Sequence, residues 1–122
     1  MKIIDNILLT RNLILNITEG LTEEKLFEIP KGFNNNIYWN MGHVSAVMAL
    51  LTYKLSGLAV PFDEQFILSF GKGSSPASWA DKSKIPTLSE LKQILKELPV
   101  QVQKETQEEL DLAVRQIVSR AV

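Results

Sequence analysis

Hydrophobic residues recur along the chain at spacings of three and four, the signature of helices buried along one side. Nowhere do they alternate long enough to write a strand. Ile3, Ile7, Ile14 and Ile17 share one face of a segment from Ile3 to Glu19, with Ile4, Leu8 and Leu15 beside them. From about Asn36 to Ser56, the positions Ile37, Met41, Val44, Met48, Leu51 and Leu55 form the clearest seam, and Trp39, His43, Val47 and Leu50 make a second apolar face. A helix that is apolar round most of its circumference belongs in the middle of a bundle. Leu88, Leu91, Leu95, Leu98 and Val102 carry the alternation into a third long segment, followed by a weaker stripe of Leu110, Val114, Ile117 and Ala121.

Punctuation between these runs is equally helical. Thr22, followed by Glu23 and Glu24, caps a short turn that Pro30 and Gly32 end. Gly57 suits a left-handed C-terminal cap and Pro61 prevents continuation, while Phe62 to Phe70 reads as a short helix. Thr87 and Glu90 form a capping box at the head of the third long segment, and Pro99 inside it predicts a kink. The intervening GKGSSPASWADKSKIP, residues 71–86, reads as an extended surface connection, of a length that tends to cover something. The fold class is all-α, a helix bundle with a long crossover, in one domain over residues 1–122.

Composition narrows the function. Thirteen basic residues against fourteen acidic ones leave a net charge of −1, which provides no electrostatic footprint for nucleic acid or an anionic membrane. The absence of cysteine excludes thiolate catalysis, disulfides and cysteine-ligated zinc within these residues. The apolar N-terminal stretch is broken by Asp5, Asn6, Arg11 and Asn12, and no apolar run reaches the roughly 18 to 20 residues that span a bilayer. A soluble, cytoplasmic protein is expected.

The run Ile-Tyr-Trp-Asn-Met-Gly-His-Val, residues 37–44, resembles the second-helix signature of the DinB-like superfamily, which includes the YfiT-type metal-dependent hydrolases and bacterial thiol transferases. The approach LTEEKLFEIPKGFNNN, residues 21–36, and the segment FGKGSSP, residues 70–76, are similar to the family's flanking sequences, so the resemblance covers residues 1–98. It implies an up-down-down-up four-helix bundle, often a homodimer, with a divalent metal, commonly nickel or zinc, near one end. It also implies that His43 is one metal ligand, the other two coming from a later H-x-x-x-H pair. That pair is not found. After His43 the chain has no histidine, and Gln116 and Arg120 stand where a pair spaced by four would be sought. The C-terminal helix is therefore expected to be incomplete or the site lost.

Two readings of His43 follow. As the only histidine it is either a packing residue between Trp39 and Val47, hydrogen-bonded to backbone, or one arm of a metal site completed by carboxylates such as Asp63 or Glu64, or by a partner's imidazole. Trp39 reads as core, and Asn40 as a hydrogen-bonding residue near the helix start. Both are candidates to line a cleft that, with His43 and the loop of residues 71–83, would take a small-molecule ligand. Gly71 to Ser75 lacks the P-loop pattern and reads as a turn. The expected function is that of a DinB-like bundle related to metal-dependent transferases or hydrolases with an incomplete metal site; the alternative is a non-catalytic dimeric interaction or ligand-binding protein.

Overall fold

The computed structural model describes residues 3–79 and 81–121, with side chains described over 5–79, 81–105 and at 119. Five α-helices follow one another: α1 (Ile3–Glu19), α2 (Glu23–Phe27), α3 (Ile37–Leu55), α4 (Glu64–Phe70) and α5 (Leu88–Ala121). Among the described residues there is no strand.

Side-chain oxygens close the orphan amides at four helix starts. Thr22 accepts from the Lys25 amide at 3.3 Å, Asn36 from Trp39 at 2.7 Å, and Asp63 from Phe66 at 2.8 Å. At α5, Thr87 Oγ1 accepts from the Glu90 amide at 3.2 Å while Glu90 Oε1 accepts from the Thr87 amide at 3.3 Å, which completes the capping box. The far end of α3 closes on Gly57, whose φ of 73° suits glycine. There the Gly57 amide donates to Lys54 and the Leu58 amide to Tyr53, so two last-turn carbonyls are satisfied. The connection of residues 71–86 is less extended than its composition suggests, since it folds into 3₁₀ turns at Pro76–Ser78 and Lys82–Lys84.

α5 packs against both α1 and α3, while α2 and α4 lie on α3. Leu91, Leu95, Leu98 and Val102 are buried, as their spacing predicts. Pro99 is fully buried inside α5, so its ring fills core volume within a helix that runs on to Ala121. The stripe from Leu110 to Ala121 lies outside the described side chains.

Two predicted faces are met only in part. On α1 the inward side carries Ile7, Leu8, Arg11, Ile14, Leu15 and the buried Thr18, and Ile17 points outward at 71% exposure. On α3 the buried side is Tyr38, Trp39, Met41, Gly42, Ser45, Ala46, Met48, Ala49 and Tyr53, which leaves Ile37, Leu51 and Leu55 exposed. The cause is close packing. Glycine, serine and alanine let neighbouring elements approach, and aromatic rings fill the larger gaps, so aliphatic side chains do not define the inner face.

Tyr38 gives the fold an alkaline limit. Its ring stacks on Phe27 and its hydroxyl donates to the Pro86 carbonyl. Burial, helped by the nearby Glu23 and Glu90 carboxylates, pushes the phenol up to about 12. A pKa raised on folding means that the native state holds the proton more tightly than the unfolded chain. The associated stability is complete below pH 10 and is lost as pH rises from 10 to about 12. Thermal melts over that window should fall more steeply for the native protein than for Tyr38→Phe, whose baseline is lower because the bond to Pro86 is gone.

Candidate functional site

His43 lies one turn after Trp39 on α3, and the two rings stack at 4.3 Å with a 15° interplanar angle. Its Nδ1 is 2.7 Å from the Phe70 carbonyl oxygen at the end of α4. A carbonyl only accepts, so Nδ1 carries the hydrogen and Nε2 of the neutral ring is left with its lone pair. The same end of α4 is gripped twice more. Trp39 Nε1 donates to Ser74 Oγ at 3.0 Å, Ser74 Oγ donates to the Gly71 carbonyl at 2.6 Å, and Trp79 Nε1 donates to the Ser69 carbonyl at 2.9 Å.

Two glycines make this approach possible. A Cβ on Gly42 would sit 2.2 Å from the Phe70 ring, and one on Gly71 would sit 2.5 Å from the Ile67 carbonyl oxygen. The run from Trp39 to His43 thus acts as a clasp: an indole and an imidazole hold the α4 terminus while Gly42 makes room for the buried Phe70 ring. In the sequence Phe70 and Ser74 stood only within segments such as 70–76 and 71–83, with no role assigned to either residue. The signal was present in the adjacency of Phe70 to a Gly-Ser segment, but nothing linear pairs it with Gly42.

The other candidates separate. Trp39 is buried beneath Ser74. Asn40 is exposed, donates to the Asn36 carbonyl at 2.8 Å, and lines a groove with α1 on another side of α3. Asp63 is occupied in capping α4. An open cleft of about 500 Å³ does lie against residues 73–77, and its opposite wall is formed by Ile29, Phe33 and Asn34.

Among the described residues no group of three His, Cys, Asp or Glu side chains could hold a metal ion. Zinc and nickel sites built by protein alone use about three such donors, and the one imidazole present has its Nδ1 committed to a backbone carbonyl. The described donor set does not fit the metal that the sequence resemblance implies.

The groove between α1 and α3 is of a different kind. It encloses about 260 Å³ and is walled by Ile14, Ile17 and Leu21 on one side and Ile37, Met41 and Val44 on the other. Further along the same pair of helices, Arg11 Nη2 lies 3.9 Å from Met48 Sδ, which fixes how the two run past each other. Burial lowers the pKa of the Arg11 guanidinium, which remains charged at neutral pH. No described helix is long and apolar enough to cross a membrane.

No curated protein and no solved structure matches the chain. The family model of the DinB superfamily matches residues 7–117, which takes in the whole clasp and all of the bundle except the outer ends of α1 and α5, and the chain therefore belongs to the DinB superfamily.

Proposed function

We propose that this chain is a non-catalytic member of its superfamily, a helical binding module that works through the α1–α3 face, with His43 as a structural clasp. The observation that supports it most directly is the outward apolar surface of those two helices. Ile17 and Ile37, 71% and 39% exposed, line an apolar groove, and Leu9, Leu13, Leu51 and Leu55 on the same two helices are between 52% and 84% exposed. Exposed large aliphatic side chains beside an apolar groove mark a candidate binding surface.

An environment-sensitive apolar dye should bind the native protein and be lost from Leu13→Ser/Leu51→Ser, both substitutions lying at exposed positions and leaving the melting temperature within a few degrees. Equal dye binding by both proteins would sink the reading. The metal-enzyme alternative is separated by dialysis against zinc or nickel followed by gel filtration and elemental analysis. Native protein and His43→Gln should both emerge without stoichiometric metal, and the variant should lose about 1 to 3 kcal/mol through its broken bond to Phe70. Near-stoichiometric metal in the native protein, released by His43→Gln, would restore the enzymatic reading.

A further inference from the structure

The groove between α1 and α3 has a cation at one end. Its α1 wall includes Ile14 and Thr18, and its α3 wall includes Met41 and Val44. Arg11 stands three and seven residues before the first two, and Met48 stands four and seven after Val44 and Met41, spacings that keep both on the groove-lining sides of their helices. Arg11 Nη2 meets Met48 Sδ at 3.9 Å, so the guanidinium lies about one turn beyond the groove wall, in line with it. We infer that the groove and Arg11 together form a site for a medium-chain monocarboxylate, its alkyl chain lying along the groove and its carboxylate on the guanidinium. The inference rests on the binding-module reading above and names the ligand class.

Charge selects the head group. A guanidinium offers a planar fork of N–H donors, and the acceptor that Arg11 meets here is a thioether, a weak one. Among the described residues no carboxylate pairs with it, and burial lowers its pKa with no neighbouring negative charge acting the other way. From Ile37 to Tyr53, α3 contains no Asp, Glu, Lys or Arg, and from Asn6 to Thr18, α1 contains only Arg11. One half-buried cation without a counter-charge takes one negative charge, which a carboxylate supplies in a bidentate contact. A phosphate monoester would bring about two.

Size and polarity select the tail. The groove encloses about 260 Å³, room for about eight or nine methylene groups taken as water-sized at roughly 30 Å³ each. From Arg11 to Leu21, α1 advances about 15 Å, a reach that about ten to twelve carbons match. The two polar residues of the wall are already engaged: Thr18 donates its hydroxyl to the Ile14 carbonyl and Asn40 its amide to the Asn36 carbonyl. A plain alkyl chain therefore suits the walls.

Isothermal titration calorimetry of the full chain with sodium decanoate, below its micellar concentration, and with 1-decanol tests this. The native protein should bind decanoate one to one and at least about tenfold more tightly than decanol, and each methylene added from hexanoate to decanoate should tighten binding about fourfold. Arg11→Gln should bind decanoate and decanol alike. Ile17→Asn/Ile37→Asn, at exposed wall positions, should weaken both ligands about tenfold or more with an unchanged helical circular dichroism spectrum. Should Arg11→Gln misfold, the native protein's preference for decanoate over decylammonium decides the same point. Equal affinity of the native protein for decanoate, decanol and decylammonium would overturn the inference and leave the groove to a neutral apolar ligand. Decanoate binding untouched by the Arg11 and wall variants would place it elsewhere and overturn this inference alone, as would a native protein that ignores decanoate yet takes up the apolar dye. Binding of neither decanoate nor dye would overturn both readings.

Discussion

Phe70→Ala should destabilise the protein by about 4 kcal/mol, the largest loss expected from any single truncation around the clasp. The Phe70 ring is fully buried, packs at 5.0 Å from Phe66 and meets Trp79 edge-on at 5.5 Å. Its removal leaves a cavity at the meeting point of α3, α4 and the connection to α5, walled by aromatic rings that have little freedom to collapse. For a domain of this size the melting temperature should drop by roughly 15 °C in differential scanning calorimetry. A drop under a third of that would mean that the aromatic cluster repacks around the void.

Gly42→Ala probes the same contact from the opposite side. One methyl group is added, yet it would lie 2.2 to 2.4 Å from three atoms of the Phe70 ring, closer than real carbon contacts approach. The ring cannot swing into solvent because it is enclosed, so either α4 shifts away from α3 or the ring leaves its rotamer. Overpacking of this severity costs about 3 kcal/mol. The decisive measurement is a double-mutant cycle. In the Phe70→Ala background the obstructing ring is gone and Gly42→Ala should be nearly neutral, which gives a coupling of about 2 kcal/mol or more. Equal costs in both backgrounds would show that the methyl clashes with something other than Phe70.

Helix existence was legible in the sequence, and helix orientation only where large aliphatics define the inner face. The caps at Thr22, Thr87 and Gly57 are local events, decided by a side chain and the amides a few residues away, so they can be read from a line of letters. The inner face of α5 was equally readable because Leu91, Leu95 and Leu98 are aliphatic and nothing smaller competes. On α3 the rule failed. The inner face there is set by Gly42, Ser45, Ala46 and Ala49, which admit close neighbours, and by Tyr38, Trp39 and Tyr53. Counting large aliphatics therefore selected Ile37, Leu51 and Leu55, which are exposed, together with Met41 and Met48, which are buried.

The candidate site divided along the same line. His43 stood out as the only histidine, and a packing role against Trp39 with a backbone partner was one of its two readings. That the partner is the Phe70 carbonyl could not be read, because 27 residues separate the two and only the docking of α4 on α3 joins them. Asn40 was grouped with Trp39 by adjacency, although consecutive helical residues point about 100° apart and the two serve different surfaces.

The position of α5 after the other four helices has a consequence for synthesis. α1 finds its main packing partner there, and about seventy residues must leave the ribosome between Glu19 and Leu88. At cellular translation rates that takes several seconds to more than ten. Over this interval Ile7, Leu8, Ile14 and Leu15 have no α5 to rest against, and α3, which emerges after α2, is equally unpartnered on the side that α5 will cover. The nascent chain therefore passes through a stage in which α2 and α4 can pack on α3 while the sides of α1 and α3 that face α5 stay bare. Slowing elongation between α3 and α5 would prolong that stage and increase capture by holdase chaperones, whereas slowing it after α5 has emerged would have little effect.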